Sequence, residues 1–282
     1  TLTKRATVGL LVGARGTGKT TALRAIARGL HPVRCVQVRC QGRGYPQLEG
    51  DLLAALGSPP DGTRSLAECL ADVAPVAVLV DDCHRLMRPT IGGFDALDRL
   101  GELMRSAGGG VSMVATMGDA AWQLVARARH HHAFFDRVSR LEPWSEERLG
   151  TLVAARARAA SVRPTFAGLQ EARPGGAVPG DEQRAERGYT RVLWDYSGGN
   201  PGVALQAWRD SLRQRADGSV VVRLFEPPPV EQLEELSVDG LFVLRALLQL
   251  DGATEEEVAM GTSLGRAQVA DVLRRALAEG IV

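Results

Sequence analysis

Lysine is nearly missing from this chain. Of 34 basic residues only Lys4 and Lys19 are lysine, and the rest are arginine. A composition this biased keeps lysine where the side chain is hard to replace, or at random, and Lys19 is the informative position. Cysteine is sparse too. Cys35, Cys40, Cys69 and Cys83 show no CxxC spacing, which excludes a disulfide scaffold; they read as reduced, small apolar residues of a cytoplasmic protein. A net charge of +1 gives no global electrostatic case for nucleic acid or a membrane surface. No apolar run approaches the roughly 18–20 residues that span a bilayer, so no direct membrane insertion is expected, and no secretory signal opens the chain. The first residue is Thr rather than Met, so the sequence reads as part of a longer chain. What is left is an ordinary globular composition, 45% apolar and 24% charged over 282 residues, enough for two or three units.

Lys19 stands in VGLLVGARGTGKTTALRAIARGL, residues 8–30. Gly13, Arg15, Gly16, Thr17, Gly18, Lys19 and Thr20 fall within a GxxxxGK[ST] pattern, with Thr21 next in line. The strand-like run Val8–Val12 precedes it, and an amphipathic helix with Leu23, Ile26 and Ala27 at helical spacing follows. Glycines let backbone N–H groups turn inward around phosphate oxygens at the positive end of that helix. Lys19 supplies a compact charge for the outer phosphates, and Thr20 offers a hydroxyl to Mg2+.

That loop gives meaning to VAVLVDDCHRL, residues 76–86, where an apolar run ends in two acids. A buried parallel strand is a continuous apolar run whose carboxyl end faces the ligand crevice. Asp81 is expected to hold Mg2+ there, and Asp82 to orient an attacking water.

Further strands are expected at 34–39 and 111–115, with a short one at 138–141. Helices are expected at about 46–56, 64–73, 93–106 and 119–129, an alternation that predicts a parallel α/β sheet sandwiched by helices. Thr116 would then share the edge of Asp81 and sense the outer phosphate or the attacking water. Arg137 and Arg140 lie near the last strand, where an arginine can reach a neighbouring subunit's nucleotide. The run His130-His131-His132 is read as an exposed loop, because consecutive residues of a regular element cannot all face one ion.

Beyond Trp144 the pattern turns helical. Ser145 is a candidate N-cap for a helix to about residue 160, and residues 171–182 read as a mobile Gly/Pro-rich loop. A helix over about 183–197 leads into SGGNPGVALQAW, where Asn200 can cap and Pro201 suits the first helical position. That start is a candidate wall for a nucleotide base. Residues 219–229 read as a strand, half of a hairpin, with a proline break. Three helices near 237–250, 255–260 and 266–279 suggest a winged helix, with Ile281 and Val282 opening a strand. Residues 229–282 hold ten acids against four arginines, a net −6, which makes this module a poor DNA reader. Residues 1–228 therefore carry about +7, and any DNA contact is expected from them.

Together these residues resemble the AAA+ class and its sister group, the STAND signalling ATPases. VLVDDCHRL is similar to the strand end of transposition-helper and origin-recognition ATPases, and SGGNPGVAL to the glycine–proline lid motif of STAND proteins, whose proline lies against nucleotide; that maps onto Pro201. The resemblance implies a P-loop NTPase core over 1–143, a helical lid over 144–217, and a hairpin with a winged helix over 218–282. It implies ATP or ADP with Mg2+ as ligands and a nucleotide-dependent homo-oligomer or protein partner. Two departures bear on activity: Asp82 stands where AAA+ motors carry Glu, and Gly202 where the lid commonly supplies arginine. Both point to a slow ATP-hydrolysing switch. The alternatives are a DNA-associated assembly factor and a scaffold that binds nucleotide without turning it over.

Overall fold

The computed structural model describes residues 7–41, 44–58, 64–90, 92–106, 109–128, 135–169, 181–227 and 234–281. In chain order they form β1 (Val8–Val12), α1 (Lys19–Gly29), β2 (Arg34–Arg39), α2 (Tyr45–Leu56), α3 (Leu66–Asp72), β3 (Val76–Asp81), α4 (Asp95–Ser106), β4 (Val111–Met117), α5 (Asp119–Ala128) and β5 (Arg137–Arg140). There follow α6 (Glu146–Ala159), α7 (Asp181–Ser197), α8 (Pro201–Ser211), β6 (Leu212–Gln214) and β7 (Val220–Val222). The last three are α9 (Val238–Leu250), α10 (Glu255–Thr262) and α11 (Arg266–Ala278). By their contacts these segments form two compact units: Thr1–Ala14, Lys19–Leu141 and Pro229–Val282 make one, and Arg15–Gly18 with Glu142–Pro228 make the other.

The first unit is built on a five-stranded parallel sheet in the order β2-β3-β4-β1-β5, flanked by helices. β3 is buried at all six positions, as its unbroken apolar run requires of a strand covered on both faces. Pairing sets the register: Leu11 lies opposite Thr116, Val80 opposite Ala115, and Arg39 opposite Asp81. The carboxyl ends of four strands therefore finish at one level, the edge where open parallel sheets bind ligands. In the same unit α9, α10 and α11 enclose a small core of Val243, Ala246, Val258, Ala259 and Val269, and α9 packs on α5. Ser237 caps α9, and Thr254 with Glu257 forms a capping box on α10. Ile281 does not open a strand. Its N–H donates to the Ala276 carbonyl and closes α11, and Val282 lies outside the described residues.

The second unit packs α6, α7 and α8 around Leu149, Phe166, Tyr189, Leu193 and Trp208. Ser145 caps α6, and Tyr189 and Ser211 share a buried hydroxyl–hydroxyl bond of 2.7 Å. Leu212 leaves the helical path and starts β6, which pairs antiparallel with β7. The strand read at 219–229 is thus one arm of a hairpin whose other arm, 212–214, the helical spacing had concealed. Val222 packs into this unit's core, so a boundary at 217/218 runs through the hairpin. The Gly/Pro-rich loop and the histidine run lie, apart from Asp181 and Glu182, outside the described residues.

All four cysteines are free thiols. Burial pushes the Cys40 thiol up to about 12, so it packs as a neutral apolar group. No helix among the described residues is long and apolar enough to cross a membrane. Leu79, with no exposed surface at the centre of β3, tests the core: Leu79→Ala is expected to cost about 2–5 kcal/mol by urea denaturation. A loss under about 1 kcal/mol would contradict the packing described.

Candidate active site

β1 ends at Val12 and the chain turns through Gly13–Gly18 into α1. Gly16 and Gly18 sit at φ 87° and 96°, in the left-handed region that side chains disfavour, so the pattern's glycines serve the turn itself. Lys19 opens α1 and curls back, its Nζ donating to the carbonyls of Gly13 at 2.9 Å and Ala14 at 3.0 Å. Burial lowers the ammonium's affinity for its proton; Asp82, Asp251, Asp81 and Asp119 oppose that effect. Thr20 points to the strand ends, and its Oγ1 donates to Asp81 Oδ2 at 2.7 Å. Thr21 is exposed on α1.

Asp81 is 1% exposed, and its other oxygen, Oδ1, accepts from Thr116 Oγ1 at 2.6 Å. Thr116 in turn accepts from the Asp82 backbone N–H at 2.9 Å. A fully buried hydroxyl thus ties the two acids together, and the structure makes it a brace between them. The oxygen donors of Thr20 and Asp81 are hard and close together, the donor set a divalent cation such as Mg2+ takes.

Asp82 adopts φ 55° and ψ 44°, a left-handed conformation that Asp tolerates better than longer acids do. Its Oδ2 accepts from Arg39 Nε at 3.0 Å and lies 2.9 Å from Nη2 of the same guanidinium, with Arg85 Nε 3.9 Å away. Arg39 was absent from the sequence reading; its signal is its place at the end of β2, in register with Asp81. Two residues on, His84 is 2% exposed, with Nε2 3.3 Å from Asp251 Oδ2 at the end of α9. Arg85 Nη2 reaches the same oxygen at 3.3 Å. Buried His84 holds its proton less readily than usual because burial disfavours the cation, with Asp82 and Asp251 opposing. Asp251, 167 positions from His84, gave no local signal.

β5 separates the two candidate arginines. Arg140 lies beside Val12 at the carboxyl edge and donates to Asp119 Oδ1 at 2.8 Å. Arg137 pairs with Gly9, three residues or roughly 10 Å further down the sheet, and is exposed there. In the second unit, Asn200 caps α8 and Pro201 is buried at its first position. The loop residues Arg15 and Gly16 contact this helix start within that unit, through Asn200 and the Gly202 N–H.

Residues 2–124 match the family described as an AAA domain. No curated protein matches the sequence. Among solved structures, the ORC2 protein of Aeropyrum pernix in its ADPNP–ADP complexes is 15% identical, with a TM-score of 0.50 over 98% of this chain and 80% of that one. The Aeropyrum pernix ORC1 protein in complex with DNA is 18% identical, with a TM-score of 0.41 over 98% and 78%. Thermotoga maritima RuvB is 17% identical, with a TM-score of 0.45 over 96% and 80%. At 15% identity the likeness to the ORC2 protein shows fold alone. The matched span holds β1, β2, β3 and β4, four of the five strands of the parallel sheet.

Two outcomes check this geometry. Thr116→Val strips the brace and leaves the buried Asp82 N–H unpaired, an expected loss of about 1–3 kcal/mol in chemical unfolding; no loss would mean the hydroxyl is idle. For His84, the folded group binds a proton less readily than the unfolded one, whose reference pKa is 6.5. Stability from this group is therefore full above that value and declines as pH falls below it. The melting temperature of the wild type should drop more on acidification than that of His84→Gln; parallel curves would refute a buried neutral imidazole.

Proposed function

We propose that this chain is an ATP-binding, slowly ATP-hydrolysing switch that couples nucleotide state to self-assembly or partner engagement. The observation that carries the reading is the Asp81 carboxylate, gripped on one oxygen by Thr20 and on the other by Thr116 beside the Lys19 loop. Lys19 moves from the loop carbonyls to the outer phosphates, while Thr20 and Asp81 would hold Mg2+. Bound there, Mg2+ would supply charge neutralisation. Asp82 orients water for attack on the terminal phosphorus and accepts its proton as ADP leaves.

Slowness follows from Asp82. One of its oxygens is spent on the Arg39 guanidinium, and the short side chain on a left-handed backbone leaves little reach. Arg137 is assigned to a neighbour's site in the assembled state, since its strand position takes it away from the carboxyl edge of its own sheet. Pro201 is assigned to the nucleotide-facing start of α8. The net +7 of residues 1–228 supports a second reading, a DNA-associated assembly factor that loads through this basic part of the chain.

ATPase rate and oligomer size, measured with ATP or ADP and with or without duplex DNA, separate the readings. The switch predicts low turnover, lost in Lys19→Ala, and an oligomer size that differs between nucleotides. Equal size in both nucleotides would sink it, and salt-sensitive stimulation by DNA would favour the assembly factor. Tight ATP binding with no turnover under any condition would leave a scaffold. Arg39→Ala should raise turnover about 3–10-fold by freeing Asp82, equivalent to roughly 1 kcal/mol of barrier; a fall in rate would mean that Arg39 helps Asp82 instead of restraining it.

A further inference from the structure

We infer that Asn200 and Gly202 are positioning residues for the phosphate loop, a role that rests on the reading of that loop as the nucleotide site. Asn200 does what an N-cap does: its Oδ1 accepts from the N–H groups of Gly202 at 2.9 Å and Val203 at 3.4 Å. A cap needs only that oxygen. The amide nitrogen, Nδ2, donates instead to the carbonyl of Arg15 at 2.8 Å, 185 positions away and within the same compact unit. The Gly202 N–H, shared with the cap, also donates to the Gly16 carbonyl at 3.0 Å. Two successive loop carbonyls are thus fixed by the start of α8.

The consequence follows from peptide geometry. In a planar trans peptide the C=O of one residue and the N–H of the next point in opposite directions. Fixing the Arg15 and Gly16 carbonyls toward α8 turns the N–H groups of Gly16 and Thr17 to the other side of the loop. Those are donors that a phosphate loop offers to its anion. Asn200 therefore aims loop donors it does not itself touch.

The glycines show how close the approach is. A Cβ on Gly202 would lie 2.5 Å from Gly16 Cα and 2.9 Å from Gly16 O; one on Gly16 would lie 2.8 Å from Asn200 Oδ1 and 3.1 Å from Gly202 Cα. At Gly202 backbone meets backbone, so no side chain can swing aside. This explains why glycine follows Pro201: an arginine there would prise the helix start off the loop. The protein gives up a cationic side chain at this position and gains a clasp on the loop's carbonyls.

The clasp can be separated from the cap. Asn200→Ser keeps an oxygen that caps well but has no donor long enough for Arg15, and Asn200→Asp keeps shape and cap but loses the donor. Both should leave the melting temperature of the nucleotide-free full chain close to wild type, yet weaken Mg2+-ADP and Mg2+-ATP binding about tenfold by calorimetry. Gly202→Ala should weaken binding at least as much. Wild-type affinity in Asn200→Ser would overturn the inference and leave a plain helix cap. So would an affinity loss that merely tracks a matching fall in melting temperature. Absence of nucleotide binding by the wild-type chain would instead overturn the reading of the loop, and this role with it.

Discussion

A carboxylate buried to 1% exposure must be compensated on both oxygens, and the candidate site follows from how Asp81 meets that demand. One oxygen takes the hydroxyl of Thr20, from the first turn of α1; the other takes Thr116, from the neighbouring strand. Neither partner is close in sequence. They meet because β3 pairs with β4 and β4 with β1 in a register that ends these strands level, so that the phosphate loop leaves the sheet beside Asp81. β3, buried at all six positions, carries Asp81 to that edge.

The second acid is managed differently. Asp82 is held through its backbone by Thr116 and through its side chain by Arg39, whose guanidinium is largely in water and therefore screened. Asp81 is thus held by two neutral hydroxyls, one of them fully buried, and the buried Asp82 carboxylate by a guanidinium at the surface.

Most of the sheet was legible in the sequence because each strand carries a local signature. The glycine pattern ahead of Lys19, the apolar run ending in Asp81 and the VSMVA run into Thr116 could each be read alone. Thr116 was placed at the correct edge, but the contacts it makes there depend on strand order, which no single segment encodes. Arg39 was hidden because an arginine ending a strand is unremarkable in an arginine-rich chain. Asp251 and Asn200 were hidden for a deeper reason. Their partners lie 167 and 185 positions away, and at both places local chemistry already gave a sufficient account, a helix end and a helix cap. The hairpin strand at 212–214 was missed because Leu212 fits the helical spacing of the residues before it until the chain turns.

The central claim is that Asp81, with Thr20, is the metal-holding residue of a nucleotide site. The most direct test is the affinity for ATP with and without Mg2+, in wild type and in Asp81→Asn, whose amide can still accept from one threonine hydroxyl. The account predicts that Mg2+ tightens ATP binding in the wild type and brings little or no gain in the variant. An equal gain from Mg2+ in both proteins would contradict it.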